Sequence, residues 1–280
     1  MEIAGLADSD PLWREVCSTR ETRIGGKCAF SEDCFVTRAR EQAAHAKIVV
    51  VNHHLYFADL ATRLRGGSVL PAHDVVIFDE AHDIENVATE FFSITVSSRR
   101  IERLLENVMA TVNTARLQDD PAASRRHKLV DNVRAAAAEL FTRFRRSAGR
   151  ERLVPEAMGT DHLASYYRLD TALEAVELSL AAIEGRNEMI DHEKETVATL
   201  RDELSKVVSQ TVKGYVHWIE NRKRSVVLGA SPIDISHTLR EGIFFSIPCV
   251  AVSYTHLRAH ETKEEISYAV FCLKRGGGGG

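Results

Sequence analysis

Long apolar runs are missing from this chain of 280 residues. The longest, from Gly242 to Val252, is interrupted by Ser246 and Pro248. It falls well short of the roughly 20 residues a membrane-spanning helix needs. The opening stretch, MEIAGLADSDPLW, has no basic region followed by an apolar one, so it does not read as a secretion signal. No sign of charge dominates either: 36 Lys and Arg stand against 40 Asp and Glu, a net charge of −4. That excludes attachment to nucleic acid through bulk positive charge. Cysteine is scarce, five in all and unevenly spaced, which excludes a disulfide-stapled scaffold. What remains is 44% hydrophobic and 27% charged, the balance of a globular chain and not of a disordered one. The length admits one or two domains with cores of their own. A soluble cytosolic protein is the expectation.

Three of the cysteines, Cys17, Cys28 and Cys34, lie close together, while Cys249 and Cys272 stand alone. In a reducing compartment a local trio of thiols points to a metal or cluster site, because thiolates are the ligands that iron–sulfur clusters and zinc use. Three unrelated small residues in a loop are the plainer alternative. The stretch before Cys34 is polar, rich in Gly, Thr and Arg, and without periodicity. From Cys34 to Lys47 the residues are helix formers. Ile48 to Val51 is a β-branched run, which predicts a strand buried on both faces. NHHLYFADLATRLR then predicts a loop entering a helix, broken by Gly66 and Gly67. Val75 to Phe78 predicts a second buried strand. Strand, helix and strand at this spacing indicate a parallel α/β sheet.

From Ser98 to about Thr211 the pattern turns almost wholly helical, with segments starting near Ser98, Pro121, Asp161 and Asn187. In the last of them Ile190, Val197 and Leu204 recur every seven residues, with Leu200 and Val207 between. Such spacing makes the seam of an antiparallel helical pair or bundle. Arg143, Arg145, Arg146, Arg150 and Arg152 gather near one turn; they read as a solvated helix end or as a phosphate-contacting patch. After Gly214, VHWIENRKRSVVLGASPIDI becomes β-rich, as if the chain re-enters the sheet. The helical block therefore reads as an insertion within an α/β domain.

The chemistry concentrates in VVIFDEAH, Val75 to His82. A hydrophobic strand that ends in two acids sets both carboxylates at the carboxyl edge of a parallel sheet, where phosphate ligands sit in α/β folds. Asp79 is the candidate for holding Mg²⁺ on nucleotide phosphates, and Glu80 for orienting or deprotonating an attacking water. His82 is the candidate for coupling that site to its neighbours. No G-x-x-x-x-G-K-[ST] loop occurs, and GGKC at Gly25 to Cys28 fails the spacing. Without such a cradle of amides and lysine, ATP binding by this chain alone is expected to be very weak.

In order, CAFSEDCF, AREQAAHAKIVVVNHHLYFADL and LPAHDVVIFDEAHDIENVATEFF resemble the DinG/XPD branch of superfamily 2 helicases, nearest the bacterial DinG-like ATP-dependent DNA helicases. The resemblance is dense over residues 12–100 and resumes at Val216 to Phe244. It implies a RecA-like motor domain interrupted by an iron–sulfur lobe and by a helical arch. The implied plan is a partial iron–sulfur lobe at 1–35, motor domain at 36–97, arch at 98–213 and return to the motor at 214–251. Also implied are ATP, Mg²⁺ and a 4Fe-4S cluster as cofactors, single-stranded DNA and forks as partners, and 5′-to-3′ translocation by a bacterial cytoplasmic monomer. Asp79-Glu80-Ala81-His82 match the family's Walker B motif. Asn52-His53-His54 match the segment between cluster and Walker B motif, so Asn52 and His53 become candidates for DNA or motor coupling; buried histidines satisfied by the backbone are the alternative. Cys28 and Cys34 match the last two cluster ligands. Arg23 stands where the family usually has a cysteine, with Cys17 a possible substitute.

The tail, SYTHLRAHETKEEISYAVFCLKRGGGGG, fits none of this. TCT TAT ACA CAT CTC CGA GCC CAC GAG AC encodes Ser253 to Glu261 and opens Thr262, and this string resembles a transposase end used in short-read sequencing. ATC TCG TAT GCC GTC TTC TGC TTG gives Ile266 to Leu273, resembling the rest of that adapter. Residues 252–280 are therefore expected to be adapter read-through, and the chain a truncated, inert piece of a helicase. The competing expectation is a non-catalytic helical module for DNA or protein interaction that carries a vestigial ATPase strand.

Overall fold

The computed structural model describes residues 28, 30–64, 66–114, 123–145, 148–183 and 188–253, with the backbone of 269–273. Two apolar cores organise it. The first gathers Tyr56, Phe57, Leu60, Phe78, Ile84 and Ala88 with Ile235, Leu239, Ile243 and Cys249. The second holds the residues between, from Val96 to Ala230.

Around the first core, helix α1 (Phe35–His45) follows Cys34 and buries none of its residues. Helix α2 (His53–Arg63) starts where the Asn52 side chain accepts the Leu55 N–H at 2.8 Å, an N-cap that satisfies one of the helix's orphan donors. Strand β1 (Val76–Phe78) leads through a 3-10 turn (Ala81–Asp83) into α3 (Ile84–Phe92). The second lobe then runs β2 (Ile94–Ser97), α4 (Ser98–Thr114), α5 (Ala123–Arg143), β3 (Gly149–Arg152), α6 (Thr160–Ala181) and α7 (Glu188–Ser209). The hairpin β4 (Tyr215–Arg222) and β5 (Ser225–Pro232) completes it. The chain returns through α8 (Ser236–Leu239), a single π turn (Arg240–Phe244) and β6 (Cys249–Ser253). The backbone of β7 (Ala269–Leu273), inside the stretch read as adapter-derived, pairs antiparallel with β6.

The fold is mixed α/β with a parallel pair, β1 and β6, in register Val76↔Cys249 to Phe78↔Ala251. The heptad seam in α7 is present: Ile190, Val197, Leu200, Leu204 and Val207 are all buried, facing Leu169, Leu173, Val176 and Leu180 of α6. Arg201 cross-links the same two helices, to Asp170 at 2.9 Å and Glu177 at 2.7 Å. These carboxylates hold its guanidinium well above its ordinary range.

Two expectations need correction. Ile48 to Val51 forms no strand; Ile48 is 82% and Val50 92% exposed. A strand requires a hydrogen-bonding edge, and among the described residues none pairs with this segment. Finally, β4 and β5 do not rejoin the parallel sheet. They form an antiparallel sheet of order β2-β5-β4-β3, whose Val96, Ile219, Val226, Leu228 and Ala230 pack into the helical core. That hairpin follows from eight-residue strands joined across a two-residue turn at Lys223-Arg224, a local pairing that needs no crossover. The parallel sheet is re-entered only at β6.

Candidate active site

Phe78, the last residue of β1, is the anchor of the site. Its buried ring stacks on Phe57 at 6.0 Å between centroids and meets Tyr56 edge-on at 5.0 Å. Burial pushes the Tyr56 phenol up to about 12, so it stays neutral. With Phe78 held in the core, the next residue must emerge at the strand's carboxyl end. Asp79 is exposed there and Glu80 half-buried.

The chain bends sharply at this point. Glu80 takes φ 51° and ψ 53°, a left-handed conformation that costs a non-glycine residue roughly 1 kcal/mol. The Asp79 side chain accepts the Glu80 N–H at 3.0 Å and holds the bend. The turn brings His82 back over its neighbours. Its Nδ1 lies 3.1 Å from a Glu80 carboxylate oxygen and 3.5 Å from Ser253 Oγ, and its Nε2 lies 3.6 Å from Asp83. The loop thus carries an exposed Asp79 carboxylate and a half-buried Glu80 carboxylate with an imidazole against it. Such a pair can hold a hard divalent cation and position a water molecule.

The other candidate residues are placed as follows. Asn52 is the cap of α2, and His53 is half-buried with its ring 5.9 Å from Phe78, directly before Asp79. His54 is exposed beside Phe91 at 5.9 Å and Glu90 at 3.9 Å. The reading of both histidines as buried is therefore not met. Cys28 and Cys34 are half-buried at the ends of a turn in which the Ser31 N–H donates to the Cys28 carbonyl at 3.0 Å. Cys17 and Arg23 lie outside the described residues. No group of three or more metal-binding side chains occurs among the described residues, and two thiols do not make the four-ligand set a 4Fe-4S cluster takes. No step is derived through a cluster. In the arginine group, Arg143 meets Glu139 at 3.1 Å and Asp161 at 3.6 Å, and Arg150 meets Glu220 at 3.1 Å. Arg145 and Arg152 are exposed, and Arg146 lies outside the described residues.

Sequence reasoning missed Asp59. This carboxylate is 1% exposed, and its Oδ1 accepts the N–H groups of Val69 at 2.6 Å and Leu70 at 2.8 Å. Its Oδ2 pairs with Arg63, whose guanidinium also reaches the carbonyls of Leu70 and Pro71. The loop that feeds β1 is thereby pinned to α2. An acid four residues before an arginine, ahead of a Gly-Gly break, was the available signal.

Comparison with known proteins agrees with the motif reading. Residues 18–101 match the DEAD_2 family, a stretch that contains Cys28, Cys34, Asn52, His53 and the Asp79–His82 loop. Over 241 residues the chain is 29% identical to the ATP-dependent DNA helicase YoaA of Escherichia coli (strain K12), covering 84% of this chain and 37% of that protein. YoaA of Haemophilus influenzae is 28% identical over 249 residues, 84% of this chain and 36% of that protein. The ATP-dependent helicase DinG of Mycobacterium tuberculosis (strain ATCC 25177 / H37Ra) is 36% identical over 105 residues, 35% of this chain and 15% of that protein. The chain is thus similar to DinG-like helicases and spans little more than a third of the YoaA relatives' length. No described helix is long and apolar enough to cross a membrane.

Proposed function

We propose that this chain is part of a bacterial cytoplasmic motor that couples ATP hydrolysis to 5′-to-3′ movement on single-stranded DNA and to unwinding at forks. The observation that carries the reading is the Asp79-Glu80 pair, exposed at Asp79 and half-buried at Glu80, at the carboxyl end of a strand in a parallel pair, inside the DEAD_2 match. In this reading Asp79 holds Mg²⁺–ATP, whose metal neutralises phosphate charge. Glu80 orients and deprotonates the attacking water, with His82 as its imidazole neighbour at 3.1 Å. His82 and His53 link the site to the elements around it. The helical lobe from Ser98 to Ser209 is the arch, and the Cys28–Cys34 turn is the remnant of a cluster lobe.

Exposed apolar residues support the view of a piece taken from something larger. Val75 and Ile77 are exposed at β1, and Ile48 and Val50 are exposed before α2, apolar surface that a further part of such a motor would cover. The chain by itself is then inert, since it offers no Walker A cradle.

The test compares DNA-stimulated ATP hydrolysis by the longer gene product with and without Glu80→Gln. Loss of 10²-fold or more in kcat with DNA binding retained is expected. An unchanged rate would sink the reading. It would favour instead a non-catalytic module for DNA or protein interaction, which the missing phosphate loop and the long helical lobe also fit.

A further inference from the structure

Among the described residues, two stretches of backbone run between the two cores. The chain leaves the first after Ala88 and joins the second at Val96; it leaves the second after Ala230 and rejoins the first at Ile235. At this neck Ser93 Oγ lies 2.7 Å from Ser231 Oγ, although 138 residues separate them in sequence. Trp218 Nε1 is 2.8 Å from the same Ser231 Oγ, and Ser93 Oγ is 2.6 Å from the Thr89 carbonyl.

An indole N–H only donates, a carbonyl only accepts, and each hydroxyl has one proton. Trp218 therefore donates to Ser231, and the Ser93 proton is directed at Ser231 Oγ or at the Thr89 carbonyl, both within hydrogen-bond distance. The Tyr215 hydroxyl adds a longer tie, 3.5 Å from the Phe92 carbonyl. Main-chain pairing of β2 with β5 stops at Ile94↔Ala230, so just past it the two crossings are joined through side chains.

We propose that Ser231 is a positioning residue whose clasp with Ser93 sets the angle between the helical lobe and the lobe carrying Asp79 and Glu80. Helix α3 runs from the Asp79–Asp83 turn to the clasp, so fixing Thr89 fixes the far end of the helix that follows the carboxylates. Both serines are half-buried, so water can replace the bond and the neck opens without either core unfolding. The clasp follows from this geometry alone and holds whether or not the carboxylates face a nucleotide.

Hydrogen exchange of the whole chain, read by mass spectrometry, tests it. In Ser231→Ala, amides in 89–95 and 230–235 exchange about five- to tenfold faster, while α6 and α7 keep the parent's protection. A second protein carries Ser93→Cys with Ser231→Cys, because the two positions are close enough for a disulfide. Oxidation, verified by peptide mapping, slows exchange at the neck below its reduced form, and reduction reverses this. A purely structural contribution would speed exchange in α6 and α7 as much as at the neck. That pattern, unchanged neck exchange in Ser231→Ala, or an oxidised pair exchanging like the reduced one would each overturn the proposal.

Discussion

Replacing Asp59 probes how the loop before β1 is held, and the expected size of the effect can be worked out from its contacts. The carboxylate accepts two backbone N–H groups, from Val69 at 2.6 Å and Leu70 at 2.8 Å, and pairs with Arg63. Its side chain is 2% exposed and that of Arg63 30%. Asp59→Ala strands two half-buried amides at roughly 1 kcal/mol each and removes a charge-assisted bond of about the same net size. The sum is about 3 kcal/mol, or on the order of 150-fold in a local opening equilibrium. Asp59→Asn separates the two contributions. Its amide oxygen still accepts from Val69 and Leu70, while the ion pair with Arg63 is gone, so about a third of the loss, roughly 1 kcal/mol, is expected. Exchange protection of amides in 66–78 is the assay, with α6 and α7 as internal controls. Equal protection in the parent and Asp59→Ala would refute the argument. An Asn variant as poor as Ala would show that the backbone amides contribute nothing.

Two further outcomes concern the antiparallel sheet. A Cβ at Gly229 would sit 2.3 Å from Trp218 Cζ2 and 2.4 Å from Cε2. The ring cannot retreat, because the Arg150 guanidinium lies 3.9 Å over its centroid and Nε1 is held by Ser231. Gly229→Ala is expected to destabilise the second lobe by about 2–4 kcal/mol, read in thermal unfolding with a red shift of Trp218 emission; an unchanged midpoint would count against it. His217 on β4 is buried, and burial pushes its imidazole below the ordinary value of 6.5, opposed by the Val207 backbone at the end of α7. The folded chain thus binds this proton more weakly than the unfolded chain does. Its contribution to stability is complete above about pH 6.5 and declines as the pH falls below that value. His217→Leu should flatten the decline in denaturation midpoint between pH 7.5 and 5.5, and an equal slope in both proteins would disprove the assignment.

Elements that depend on local periodicity were legible in the sequence. The α7 seam at Ile190, Val197 and Leu204 lies on one helix face, and a face of that width has to be covered. The α2 helix was legible as a loop running into helix formers before Gly66 and Gly67, while its Asn52 cap emerged only in the structure. What periodicity cannot supply is a partner. Ile48 to Val51 has the composition of a buried strand, yet pairing is decided by whatever lies alongside, and nothing described does. The β4–β5 hairpin shows the same limit from the other side. Its residues were rightly read as β-rich, but alternation cannot say whether a strand joins a parallel sheet or pairs with its own neighbour across Lys223-Arg224.

The candidate site divides along the same line. Asp79, Glu80 and His82 could be picked out because a hydrophobic strand running into acids is a one-dimensional pattern. Their arrangement depends on a backbone state that residue type disfavours. Glutamate has no intrinsic preference for the left-handed region, so the bend at φ 51° is imposed from both sides. Phe78 is fixed by ring packing against Tyr56 and Phe57 before it, and Ile84 and Ala88 bury the first face of α3 after it. The Asp79 side chain then caps the strained peptide at 3.0 Å. The residue proposed to meet the cation is thereby also the one that holds the bend, so the strain at Glu80 and the exposure of Asp79 are parts of one arrangement. A carboxamide at Asp79 can still accept from the Glu80 N–H, whereas an alanine cannot. Asp79→Asn should therefore keep the loop's geometry while removing its charge.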